Sequence, residues 1–404
     1  MKNLYPSLKQ CFLLLMLLFF AFQSCNKDEN GEPSLPIAHD RGDIIKTTSQ
    51  GTLSPDDIQQ MLDATGTQLP FILNYSVEIL SLNYYSIDGF GDQIIVSGAM
   101  FLPQGIDDLP MMSMQHGTET KRDLVASVFP GNSVERVIGL VTASMGYVTV
   151  VPDYPGFGVS NMMHPYLHEA SLVPCVIDLM RACQSYSSKN QITLNGKLFL
   201  SGYSEGGYVT LLTQKVIEEK YFSEFNLTAV APLAGPYDLK GMTDSIFKSG
   251  NYGTTAYIGY FLTAYDDLYG WNRLDDYFVA PYADKMPGLY DGSKTWGEIV
   301  NQLPASFSEL MNPVYIADYL NGDEPDFTNA VQENTLLDWT PLTPIHFFHG
   351  DADDIVPYQN ALTTIESFTA RGADNIQLTT IPGGNHETSG PIAIVGAIQW
   401  FEGF

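Results

Sequence analysis

The sequence predicts an α/β fold: a mostly parallel central sheet flanked by helices, with one mainly helical insertion. Three observations carry that reading. Short apolar runs alternate with helical stretches along most of the chain, as strands and crossover helices do. Hydrophobic residues make up 45% of the 404, ample for a buried core. A stretch near residues 240 to 340 breaks the alternation and holds no clear strand.

The elements follow in order. Residues 55 to 63 read as a short helix with Pro55 in its first turn. Residues 75 to 102 alternate as antiparallel strands, with Tyr84-Tyr85-Ser86 and Ile94-Ile95-Val96-Ser97 on either side of a Gly-Asp-rich turn. Then come a strand at Met111 to Gln115, a helix over 133 to 145 and a buried strand at Tyr147 to Val151. A helix over 169 to 187 contains Pro174, which predicts a kink or a late start. Lys197 to Ser201 is a strand, followed by a helix from Gly207 to Lys220. Further strands are expected at Ala229 to Leu233, Ile345 to Phe348 and Ile376 to Thr380, and a closing helix from Pro391 to Phe401.

The break in the rhythm is crowded with aromatics, from Tyr252 and Tyr257 through Tyr260, Phe261 and Trp271 to Trp296. About 100 residues between two sheet strands are too many for a bare loop in a compact domain. They should form a small helical subdomain over the strand ends, where ligands bind in such sheets. Most of its aromatics are expected to be its own core. The organisation read from the sequence is a signal peptide over 1–25, a tether over 26–45, a core over 46–240 and 341–404, and a helical lid over 241–340.

Lys2 and Lys9 precede an apolar run at residues 11 to 22, too short to span a membrane comfortably and suited to a signal peptide. It ends at Gln23-Ser24-Cys25, and a small residue followed by cysteine resembles a lipobox. Acylation of Cys25 would anchor an outer-membrane or cell-surface lipoprotein; plain export to the periplasm or beyond is the alternative. Residues 1–25 hold two of the 19 basic residues and none of the 46 acidic ones, so the remainder carries a net charge of −29. Such a surface repels phosphate backbones, which makes nucleic acid a poor partner. Cys175 and Cys183 lie eight residues apart on a predicted helix, about 12 Å and beyond disulfide reach. No H-E-x-x-H is present, and the acidic loop Asn321 to Asp326 reads as solvated. No metal or cofactor is expected.

Gly202-Tyr203-Ser204-Glu205-Gly206 matches G-x-S-x-G between a strand and a helix. That spacing makes a sharp turn that lifts a serine hydroxyl above the sheet, and side chains at Gly202 and Gly206 would collide there. In folds with this elbow the chain order is serine, acid, histidine. Three histidines follow Ser204. His346 and His349 sit in or at the end of an apolar strand and read as packed or turn-bonded. His386, in Pro382-Gly383-Gly384-Asn385-His386-Glu387, lies in a loop between the last strand and the last helix, where a general base can reach the serine. Before it, His349-Gly350-Asp351-Ala352-Asp353-Asp354 offers three carboxylates, and Asp in such loops is often a turn or capping residue. The backbone N–H of Glu205 is one expected donor to a tetrahedral oxyanion.

Together these motifs resemble the α/β-hydrolase superfamily, within it the secretory lipases and related secreted bacterial esterases. The resemblance rests on His116-Gly117-Thr118, on Asp153-Tyr154-Pro155-Gly156-Phe157-Gly158 ahead of His164-Pro165-Tyr166, on Gly202 to Gly207, and on the Asp353 and His386 loops. It implies a carboxylic ester substrate (small-molecule, lipid or polysaccharide-linked), with Asp353 of a G-x-x-D-x-x-V-P pattern as the acid and Asp351 as the alternative. It also implies that Gly117 or Thr118 supplies a second oxyanion donor. Glu205 departs from the glutamine expected beside the nucleophile. Two other readings stay open: a serine aminopeptidase of the same fold, and a surface binding lipoprotein on a hydrolase scaffold.

Overall fold

Among the described residues nine strands form one sheet: β1 (Ile44–Leu53), β2 (Val77–Ile87), β3 (Gln93–Pro103), β4 (Leu109–Gln115), β5 (Val148–Pro152), β6 (Leu194–Tyr203), β7 (Leu227–Leu233), β8 (Ile345–Gly350) and β9 (Ile376–Ile381). They lie in the order β1-β2-β3-β5-β4-β6-β7-β8-β9 in a computed structural model, which describes residues 39–130 and 133–404. The predicted signal peptide, Cys25 and most of the tether lie outside the described residues. Residues 41–404 form one compact unit. Among the described residues no helix is long and apolar enough to cross a membrane.

From β5 to β9 every pairing is parallel, while β1, β2 and β3 are joined antiparallel and β3 meets β5 antiparallel. The composition of β5, Val148-Thr149-Val150-Val151-Pro152, explains its place: every residue is buried, as in a strand covered on both faces. The helices are α1 (Pro55–Ala64), α2 (Val134–Met145), α3 (Glu169–Lys189) and α4 (Glu205–Val216), then those of the insertion, and finally α9 (Gln359–Ala370) and α10 (His386–Phe401). Within the insertion the longer helices are α5 (Leu239–Ser249), α6 (Thr255–Tyr269), α7 (Pro313–Asn321) and α8 (Pro325–Glu333), with one-turn helices between α6 and α7. The apolar side chains of α1, α2 and α10 join one core cluster. Those of α3, α4 and the insertion join the other.

Four local expectations need correction. Strand β1 was not foreseen and starts inside the stretch read as tether; its side chains are mostly exposed, so this edge strand lacks the apolar alternation that marks a strand. Helix α3 starts ahead of Pro174, with the Leu172 N–H bonded to the His168 carbonyl at 3.1 Å. The proline lies inside the helix and neither delays nor ends it. Helix α10 begins at His386, five residues before Pro391. Asn385 caps it by accepting from the Thr388 N–H at 2.9 Å, while the Thr388 hydroxyl accepts from the Asn385 N–H at 3.1 Å. His386 therefore sits on the first turn of a capped helix and not in a loop. Lastly, Glu324 of the acidic loop is buried and takes both terminal nitrogens of Arg273 at 2.7 and 2.8 Å.

Tyr260, Phe261, Tyr265, Tyr277, Phe278 and Tyr290 are buried in the insertion. Tyr252, Tyr257, Tyr269, Trp271, Tyr282 and Trp296 are only partly covered. The insertion is also tied to the loop after β4. The Arg122 N–H donates to the Gly292 carbonyl at 2.9 Å, its guanidinium donates to the Asp291 carbonyl at 2.7 Å, and the Thr120 hydroxyl donates to the Lys294 carbonyl at 2.9 Å. Cys175 and Cys183 are buried free thiols.

Candidate active site

Thr118 and Gly117 follow the carboxyl end of β4, Ser204 and Glu205 that of β6, Asp353 that of β8 and His386 that of β9, so these candidates share one end of the parallel strands. Ser204 connects β6 to α4 with φ 61° and ψ −122°, a left-handed conformation costly for a side-chain-bearing residue. Its N–H donates to the Leu233 carbonyl at 2.8 Å, which pins the turn against β7. The glycines around it are required sterically. A Cβ on Gly202 would lie 2.5 Å from the Gln115 carbonyl oxygen, and one on Gly206 2.1 Å from that same atom.

The Ser204 hydroxyl lies 2.8 Å from His386 Nε2, and His386 Nδ1 lies 2.7 Å from Asp353 Oδ2. The Asp353 side chain is fully buried; its other oxygen accepts from the N–H groups of Ile355 and Val356 at 3.0 and 2.9 Å. Burial pushes its carboxyl up, but hydrogen bonds from His349, His386 and the Ile355 N–H outweigh that and hold it well below the usual carboxylate range. The rival carboxylates have turn duties. Asp351 accepts from the Gly383 N–H at 2.6 Å, and Asp354 from the His386 N–H at 3.4 Å.

Glu205 is the first residue of α4, so its N–H has no partner within the helix. Gly117 and Thr118 differ in availability. The Gly117 N–H donates to the Glu135 carboxylate at 3.3 Å, whereas the Thr118 N–H has no partner among the described residues. The Thr118 hydroxyl meets the Tyr166 hydroxyl at 2.9 Å, and Tyr166 stacks on Tyr260 of α6 with centroids 4.6 Å apart.

Beside Ser204 opens a narrow, mostly apolar cleft, walled by Leu239, Met242, Ile246, Tyr252, Tyr257 and Phe261 from the insertion. Ile355 and Val356, next to Asp353, close it below.

Three contacts were not legible in the sequence. His349, read as turn-bonded, does hold the Val356 carbonyl at 2.8 Å, but its Nε2 also lies 3.3 Å from Asp353 Oδ2. The Tyr203 hydroxyl donates to the His386 carbonyl at 2.6 Å. Glu205 pairs with His164 at 2.7 Å. The H-P-Y tripeptide and the unexpected glutamate were both visible in the sequence; only the fold shows that they meet.

A sharp strand-to-helix turn carrying Ser204 in the middle of a mostly parallel sheet, with a helical insertion beside it, defines an α/β-hydrolase fold. The comparisons narrow the class. The secretory lipase family model matches residues 307–403. A secreted triacylglycerol lipase of Malassezia furfur is 22% identical over 94% of this chain and 76% of its own. A rice cell wall degrading esterase of Xanthomonas oryzae superposes with a TM-score of 0.79 and 29% identity, covering 90% of this chain and 97% of that one. A putative hydrolase of Legionella pneumophila, 24% identical, covers 89% of this chain and 97% of its own at a TM-score of 0.81 and shares the fold. The chain is a carboxylic ester hydrolase, similar to the secretory lipases and to the bacterial esterase.

Proposed function

We propose that the enzyme cleaves its ester through an acyl-enzyme on Ser204, with His386 as general base and acid and Asp353 as the acid that orients it. The observation that carries this reading is the unbroken chain of hydrogen bonds from Ser204 through His386 to Asp353. Nε2 takes the serine proton as Oγ attacks the ester carbonyl, then returns it to the leaving alcohol. Asp353 fixes the tautomer with Nδ1 protonated and stabilises the imidazolium. The N–H groups of Glu205 and Thr118 are assigned to the oxyanion; Gly117 is set aside because its N–H is committed to Glu135. Water then repeats the sequence on the acyl-enzyme.

The insertion is assigned as the lid, and its apolar cleft beside Ser204 as the acyl pocket. Export is supported by the secreted lipase relative and by the signal-like first residues, and anchoring through Cys25 is our proposal for how the enzyme is retained at a membrane. The relatives' descriptions name rice cell wall and triacylglycerol, so cell-wall esters and lipid esters are the two substrate groups to compare.

The test is kcat/KM on acetyl, butyryl, long-chain and hydroxycinnamoyl esters plus one aminoacyl amide, with Ser204→Ala as control. Preference for short or aromatic acyl groups would support a polysaccharide-side-chain esterase, and preference for long chains a lipase. Turnover of the amide alone would move the enzyme to the peptidases. Ester turnover that survives Ser204→Ala would overturn the mechanism.

A further inference from the structure

Glu205 carries a carboxylate into a place where a negative charge should do harm. It follows the nucleophile directly, its own N–H is assigned to the oxyanion, and its side chain is 1% exposed. One oxygen, Oε1, lies 2.7 Å from His164 Nε2; the other, Oε2, is buried with no partner among the described residues. His164 is 2% exposed, and its Nδ1 lies 2.8 Å from the Pro155 carbonyl oxygen. A carbonyl only accepts, so Nδ1 carries a proton. A single further proton then lies between Nε2 and Oε1. Whichever atom holds it, the pair is neutral as a whole.

Among the described residues, the titratable groups that interact electrostatically with Glu205 include the tyrosines Tyr154, Tyr166 and Tyr208 from the core, and Tyr257 and Tyr260 from the insertion. Tyr154 and Tyr260 in turn interact with the acids Glu135 and Glu119. Facing the base His386 are Asp353, Asp354 and the Tyr203 hydroxyl. The rings of Tyr154, Phe157, Tyr166 and Tyr260 enclose the His164 imidazole, with centroids between 4.7 and 6.2 Å away.

We infer that His164 is a positioning and charge-compensating residue: by sharing a proton with Glu205 it keeps the carboxylate beside the oxyanion site neutralised and the first turn of α4 in place. The inference rests on the proposed role of Ser204 and the Glu205 N–H. Without His164 the buried carboxylate would be stranded. A carboxyl stranded in a dry site is driven toward its protonated form, and where hydroxide strips that proton the bare anion competes with the oxyanion for the same electrostatic environment.

The experiment compares pH profiles of kcat for the unsubstituted enzyme, His164→Asn, and the double variant His164→Asn/Glu205→Gln, with Ser204→Ala alongside. Asparagine keeps a donor for the Pro155 carbonyl and removes Nε2. His164→Asn is expected to gain an alkaline limb, kcat falling roughly tenfold or more as pH rises past neutrality while KM stays within about threefold. The double variant should lose that limb. A His164→Asn profile parallel to that of the unsubstituted enzyme would overturn the inference, as would a limb that persists in the double variant. If His164→Asn does not fold, ¹⁵N NMR of the unsubstituted enzyme decides: Nδ1 protonated and neither nitrogen titrating between pH 5 and 9 supports the shared proton, and a His164 that titrates in step with activity refutes it. Turnover that survives Ser204→Ala would instead sink the proposed function and leave the pair a structural feature.

Discussion

At the residue scale, the arrangement separates three neighbouring aspartates by what each accepts. Asp353 binds His386 and two backbone N–H groups, so Asp353→Asn keeps an acceptor for the backbone but favours the wrong histidine tautomer. Turnover should fall by about 10³ to 10⁴ with the fold intact, measured as kcat beside a circular-dichroism melt. Asp351→Asn touches only the Gly383 turn and should leave kcat within about threefold. The depressed Asp353 carboxyl also contributes stability. That contribution is fully present above the unfolded value near 4 and is lost as pH falls through the lower folded value. His168 acts with the same slope for the opposite reason. Burial lowers its imidazole to about 4, so the unfolded chain binds the extra proton between about 6.5 and 4, and acidification through that window destabilises the fold. His168→Asn should flatten the fall in denaturation midpoint across that window; an unchanged slope would move the cause elsewhere.

At the element scale, the site is held by turns and caps more than by strand interiors. His386 stands on the first turn of α10, whose cap is Asn385. Asn385→Ala removes the bond to Thr388, should cost about 1 kcal/mol in a denaturant titration, and should lower kcat because the base is no longer fixed. The sequence reading starts this helix at Pro391, a residue favoured in a first turn, and misses the cap written as Asn385 and Thr388. At α10 and at Pro174 the helix runs through the proline instead, which sequence patterning alone does not reveal. Strand β1 was hidden by its polarity. The elbow, by contrast, was legible because its glycines answer a steric demand that has few solutions. The link between the insertion and the loop after β4 was not. Arg122 spans it, bonding both the Gly156 and Asp291 carbonyls, and Arg122→Ala should raise KM more than it lowers kcat if the insertion shapes the acyl pocket.

At the scale of the whole molecule, the α/β rhythm and the position of the insertion followed from periodicity, and the residues chosen by chain order after the elbow, Asp353 and His386, are the ones the fold brings to Ser204. Other pairings across long sequence distances did not follow from periodicity. Glu205 and His164 lie 41 residues apart and His349 lies beside an acid it was not expected to touch, because contact between side chains is a product of the fold and leaves no periodic trace. The formal net charge of −27 also acts globally, as self-repulsion across the surface. Added salt that screens this repulsion should raise the melting temperature, in a scan of Tm against ionic strength.

Everything proposed here depends on Ser204 acting as the nucleophile and His386 activating it. The most direct measurement is labelling by a fluorophosphonate, with the adduct mapped by peptide mass spectrometry. One adduct per chain is expected, on Ser204, with labelling slowed by orders of magnitude in His386→Ala. An adduct on another residue, or undiminished labelling of Ser204 without His386, would contradict it.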